Sequence, residues 1–188
     1  MAVQKTDEEG VINEALLLLR SKGYHGTTMN DVGKACGLLK GSLYHYFASK
    51  EDLAQAVLRH VDRYFQDEVF PIGKDKSRTP QQRLESLSQI TLDYFIGRRD
   101  GCLMGNIALE AINTTPTFRP IIQKYFKDWA ETYELIYGEL GLSAKQAKAK
   151  SLQAVSTIQG TLMMVRIFDD PSLLKSTIKQ LAHPPQPS

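Results

Sequence analysis

Residues 23–53 read GYHGTTMNDVGKACGLLKGSLYHYFASKEDL, and two short helices separated by a glycine turn are legible inside them. Thr28 can cap the first of these, and Asp31, three residues on, completes a capping box. Met29, Val32 and Cys36 give that helix one apolar face. Gly37 ends it, because glycine accepts the left-handed turn that side chains resist. The spacing predicts the next helix over 40–47. At about 100° per residue, Leu43 and Phe47 fall together on the core side. Opposite them lie Gly41, Ser42 and His45, flanked by Tyr44 and Tyr46. Small residues at the centre and hydroxylated aromatics at the rim suit a helix pressed into a major groove. Gly41, poor helix material on an exposed face, fits a point of close approach. Two helices of this length around such a turn form a helix-turn-helix, in which the second helix reads base edges.

Working outward, apolar residues recur three and four apart and never alternate for long, so the chain reads as all-α with about nine helices. A first helix spans 7–22, with Ile12, Ala15, Leu16 and Leu19 on one face and Gly23 as its stop. Ser49, with Asp52 three residues later, opens a fourth helix expected to run to 69, before Pro71. Residues 72–79 read as a loop, and Pro80 starts a helix over 80–99. Further helices are expected over 103–112, 117–137, 144–168 (capped by Ser143) and 172–182, ending in a frayed PPQPS tail. This organisation is a three-helix head over 1–50 and a larger helical domain over 51–188.

The 188 residues carry a net charge of only +2, so any affinity for nucleic acid has to be local. Between residues 20 and 50 stand Arg20, Lys22, Lys34, Lys40 and Lys50 against one acid, Asp31. A one-sided basic segment of that kind is what phosphate contact needs. Cys36 and Cys102 are far apart and lack metal-ligand spacing, no apolar run is long enough to span a bilayer, and MAVQKTDEEG is no secretory signal. These features predict a cytoplasmic protein with no cofactor, no metal and no membrane partner.

The segment from about Gly10 to Leu53 resembles the DNA-binding domain of the tetracycline-repressor (TetR/AcrR) family. GYHGTTMNDVGKACG over 23–37 and KGSLYHYFASKEDL over 40–53 carry the resemblance. It implies that Thr27 and Thr28 contact the phosphate backbone and that Lys40, Ser42, Tyr44, His45 and Tyr46 face an operator. It also implies that Lys50 clamps a phosphate. Leu39 departs from the pattern, standing where Ser or Thr commonly caps the reading helix, which forgoes about 1 kcal/mol of capping.

The family resemblance further implies a homodimer paired through its last two long helices, with reading helices about 34–36 Å apart or a multiple of that. The 144–168 helix is compatible: Ala147, Ala154, Ser156 and Gly160 alternate with Leu152, Ile158, Leu162 and Val165. A small-molecule effector is expected in the second domain, where Phe95, Cys102, Met104, Asn106, Glu110, Tyr125, Trp129, Tyr133 and Met163 are the candidate lining. Asn106 and Glu110 share one face of their helix, and Tyr125, Trp129 and Tyr133 share one face of theirs; two such faces meeting would enclose an apolar cavity with polar handles. Cys102 precedes a helix near Arg98 and Arg99, a setting that favours thiolate, although a buried small hydrophobe is the simpler role. The expected function is a repressor that binds a palindromic operator and is released by its effector. The alternative is a nucleoid- or division-associated DNA binder without an inducer. No nucleophile-elbow, metal or phosphate-loop motif points to an enzyme.

Overall fold

The computed structural model describes residues 7–98 and 100–183, with the Lys40 side chain left aside. The expectations for the PPQPS tail, Arg99 and the Lys40 side chain therefore fall outside the described residues. Among those residues there are nine α-helices and no strand. They are α1 (Glu8–Gly26), α2 (Met29–Ala35), α3 (Lys40–Leu43), α4 (Lys50–Tyr64), α5 (Pro80–Phe95), α6 (Leu103–Ala111), α7 (Arg119–Glu139), α8 (Ala144–Phe168) and α9 (Ser172–Ala182).

By packing, the described residues form two units: those within 1–62 and 103–122, and those within 63–102 and 123–188. In the first, Val11, Ala15 and Leu19 of α1, Val32 of α2, and Leu43 and Phe47 around α3 are buried with Leu53, Val57 and Leu58 of α4. Each of the valine, leucine and phenylalanine side chains contributes about 1.5–3 kcal/mol relative to exposure. α2 carries the expected capping box between Thr28 and Asp31. Gly37 takes φ +66° at the turn. α6 also belongs to this unit and packs along α1.

The reading helix is shorter than its apolar pattern predicts. After Leu43 the amides of His45 and Tyr46 bond three residues back, to Ser42 and Leu43, so Tyr44, His45 and Tyr46 lie in tight turns. Aromatic residues and His are poor helix formers, and Leu39 has no side-chain acceptor to cap the start.

In the second unit, α5 and α8 each pack on α9. The expected helical run to Val69 instead widens after Tyr64 into a π-turn (Phe65–Val69) and then tightens into a 3-10 segment (Phe70–Lys74). Pro71 has no N–H to continue an α ladder, and the change of pitch buries Phe65, Val69 and Phe70 together. A capping box between Thr79 and Gln82 starts α5, and a third between Ser143 and Gln146 starts α8. The buried Arg83 guanidinium donates to the Gly73 carbonyl (2.5 Å) and to the Glu139 carboxylate.

Candidate nucleic-acid interface

The head presents a small, polar and aromatic surface. Gly41, Tyr44 and His45 are exposed, Ser42 and Tyr46 half-buried, while Leu43 and Phe47 anchor the segment from beneath. A Cβ at Gly41 would meet nothing within 4 Å, so its outer face is open to an approaching surface. Leu39, 82 % exposed, adjoins this face.

Thr28 is exposed, and its hydroxyl donates to Asp31 Oδ2 (2.7 Å) while accepting from the Asp31 amide (3.1 Å). The hydroxyl bond from Thr28, seconded by its amide donating to Asp31 Oδ2 (2.9 Å), holds the Asp31 carboxyl below its usual pKa. Thr27 corrects the expectation made for it. It is 1 % exposed, and its hydroxyl donates to the Gly23 (2.8 Å) and Leu18 (3.2 Å) carbonyls, so it holds the end of α1 rather than facing a phosphate. Lys50 is half-buried, and its ammonium donates to the Tyr24 (3.0 Å) and Thr27 (3.1 Å) carbonyls, leaving one N–H for other work.

The candidate effector residues divide. Phe95, Tyr125 and Trp129 converge in the second unit, with the Phe95 and Trp129 rings stacked at 6.2 Å and Tyr125 edge-on to Trp129 at 5.7 Å. Phe65 and Phe70 join them, and neither was singled out in the sequence because the π-turn that aims them inward has no periodic signature. Tyr133 stacks on Tyr137 at 5.9 Å. Burial pushes the Tyr133 hydroxyl pKa upward, with Tyr137 adding to the shift and the Ser88 and Thr91 hydroxyls opposing it; burial raises that of Tyr137 to about 12. Trp129 Nε1 and the Tyr137 hydroxyl are buried with no hydrogen-bond partner among the described residues.

Met163 is 56 % exposed on the outer side of α8, so it does not line that interior. Met104 is buried and Asn106 half-buried on α6, in the first unit, and Cys102 is buried. Glu110 also corrects its expectation: its carboxylate turns to α1 and accepts from the amides of Tyr24 (2.8 Å) and His25 (2.6 Å). Sequence spacing gave no hint of this, since the partners lie 86 and 85 residues apart.

α8 is apolar on two sides. Ala147, Ala154, Ile158 and Leu162 are buried, whereas Leu152, Met163, Ile167 and Phe168 are exposed. No helix among the described residues is long and apolar enough to cross a membrane.

Comparison with known proteins agrees with this geometry. The profile of bacterial regulatory proteins of the tetR family matches residues 11–57, and that of the C-terminal domain of LmrA/YxaF-like transcriptional regulators matches 87–180. The HTH-type transcriptional regulator LmrA of Bacillus subtilis is 28 % identical over 83 % of this chain and 84 % of its own length. The HTH-type transcriptional repressor DhaR of Mycobacterium sp. (strain GP1) is 25 % identical over 84 % of this chain and 81 % of its own. A TetR transcriptional regulator from Chloroflexus aurantiacus superimposes with a TM-score of 0.79 at 26 % identity, covering 96 % of this chain and 93 % of that one. One from Legionella pneumophila superimposes with a TM-score of 0.84 at 20 % identity, covering 96 % and 97 %. A helix-turn-helix head with an open reading face, joined to a helical second domain matched by the same regulators' profile, makes this chain a DNA-binding transcriptional regulator of the tetR family.

Proposed function

We propose that the chain acts in the cytoplasm, as a homodimeric repressor and not as an enzyme, and that it leaves its operator when a small molecule fills the aromatic interior of the second unit. The open face of Gly41, Tyr44 and His45 over buried Leu43 and Phe47 carries the DNA-binding part of this reading. Gly41 and Ser42 would sit over base edges, with Tyr44, Tyr46 and Thr28 holding phosphates. Repression follows the role of the similar DhaR, a transcriptional repressor.

The exposed apolar stripe of α8 supports the dimer, because Leu152, Met163 and Ile167 on one helix face cost free energy in water. A two-fold pairing there would set two heads on one palindromic site. The effector reading rests on the aromatic cluster around Trp129 and on the partnerless Trp129 Nε1 and Tyr137 hydroxyl, which a ligand acceptor would satisfy. The effector would shift the dimer toward a non-binding arrangement by a coupling of about 1–3 kcal/mol.

The test is selection of duplexes from a random pool by the full-length protein, followed by binding titrations on the winners. A discrete two-fold-symmetric site bound by two chains is expected. Recovery of no preferred sequence would favour a nucleoid-type binder instead.

A further inference from the structure

α1 does not run straight into α2. Gly23 breaks it with φ +74° and ψ 176°, a backbone region essentially confined to glycine, and the chain makes one more turn before Thr28 caps α2. This elbow sets the direction in which α2, and behind it the reading segment, leave α1. Residues remote in sequence grip it.

The Glu110 carboxylate receives the Tyr24 and His25 amides at 2.8 and 2.6 Å, one on each oxygen. Successive N–H groups of this kind form a small anion-binding concavity, and here the anion is supplied by the protein. A Cβ at Gly23 would stand 2.7 Å from Glu110 Oε2, so glycine there also clears room for the carboxylate. The Tyr24 ring meets Phe118 edge-on at 5.0 Å, and burial raises the pKa of its hydroxyl, against a hydrogen bond from Thr115. From the other side Lys50 binds the Tyr24 and Thr27 carbonyls, and Thr117 donates to Glu51 of the same helix, α4.

We infer that Glu110 is a positioning residue for operator binding: its carboxylate, seated on the Tyr24 and His25 amides, fixes the elbow that aims the reading segment. The inference rests on the operator-binding reading above. Charge-assisted bonds from two backbone amides to one carboxylate are short and directional, which suits a group that sets an angle. α6 starts at Leu103, directly after the last residue of the 63–102 segment of the second unit. Glu110 is one of the points at which α6 is fixed to α1.

The experiment compares the full-length protein with Glu110→Ala and Glu110→Gln on a duplex selected by the unmodified protein. Three quantities are read: operator affinity, amide hydrogen exchange at Tyr24 and His25, and the fluorescence of Trp129, the single tryptophan. The expected result for Glu110→Ala is a loss of affinity of about tenfold with faster exchange at both amides and unchanged Trp129 emission. Glu110→Gln, which keeps one carbonyl acceptor, should fall between the two and serves alone if the alanine variant does not fold. Faster exchange with affinity unchanged within twofold would overturn the inference while leaving operator binding intact. So would lost affinity with the two amides still protected. Failure of the unmodified protein to select any duplex would instead overturn the operator-binding reading.

Discussion

The Lys50 ammonium lies 4.3 Å from the centroid of the Tyr24 ring and donates to the Tyr24 carbonyl at 3.0 Å. One lysine at the start of α4 thus holds the backbone and the ring of a residue at the end of α1. Family resemblance alone would make this lysine a phosphate clamp. The geometry makes it first a strut inside the head, with a second bond to the Thr27 carbonyl.

Lys50→Met removes two charge-assisted hydrogen bonds from a half-exposed site, a loss of about 1–2 kcal/mol. Urea unfolding should show that loss. The slope of log affinity against log salt should stay as in the unmodified protein, since a lost phosphate contact would flatten it by about one. A flatter slope at full stability would reinstate the clamp.

Leu39→Ser should stabilise the head. The serine hydroxyl can accept from the first amides of α3, which have no side-chain cap, and the change removes an exposed leucine. The expected gain is about 1 kcal/mol, or roughly 2–4 °C in melting temperature for a chain of this size. A lower melting temperature would show that Leu39 is buried against something in the working protein.

Glu139 predicts an acid limb of stability. The hydrogen bond from Arg83, seconded by that from Lys76, holds its carboxyl near a pKa of about 2, against 4.5 ordinarily. A depressed folded-state pKa stabilises at pH above the unfolded value and is lost as pH falls. The contribution should therefore be complete above about 4.5 and drain away toward about 2. Denaturant midpoints measured across that window should decline in the unmodified protein and decline less steeply in Glu139→Gln. Parallel declines would remove Glu139 as a source of the limb.

Ile167→Glu on the outer stripe of α8 should convert the dimer to monomer with the fold retained, because the side chain is 63 % exposed within one chain. Sedimentation with circular dichroism reads both quantities. A variant that remains dimeric would place the pairing surface elsewhere.

Much of the head was legible because its signals are local. The Thr28–Asp31 box, the Gly37 turn and the inward Leu43 and Phe47 all follow from residues within a few positions of one another. The same holds for Ser143, the expected cap of α8. What escaped the sequence is non-local or depends on helix pitch. Glu110 looked like a polar handle for a ligand because its face also carries Asn106, and only tertiary packing shows it bound to the α1 elbow. Thr27 and Thr28 are neighbours of one type, yet the first is buried under α1 and the second caps α2. Phe65 and Phe70 enter the aromatic cluster through a π-turn that a regular 3.6-residue reading cannot anticipate. Met163 fell on the outer face because α8 is apolar on both sides, and composition does not say which side faces in.

The central claim, a dimeric regulator that reads one operator through α3 and the turn after it, is tested most directly by fluorescence anisotropy. The titration uses a selected duplex across a salt series, with Tyr44→Ala beside the unmodified protein. The account predicts saturable, sequence-dependent binding of two chains per duplex, a steep negative salt slope, and a loss of about 1–3 kcal/mol in the variant. Binding that ignores sequence, or that survives Tyr44→Ala undiminished, would contradict it.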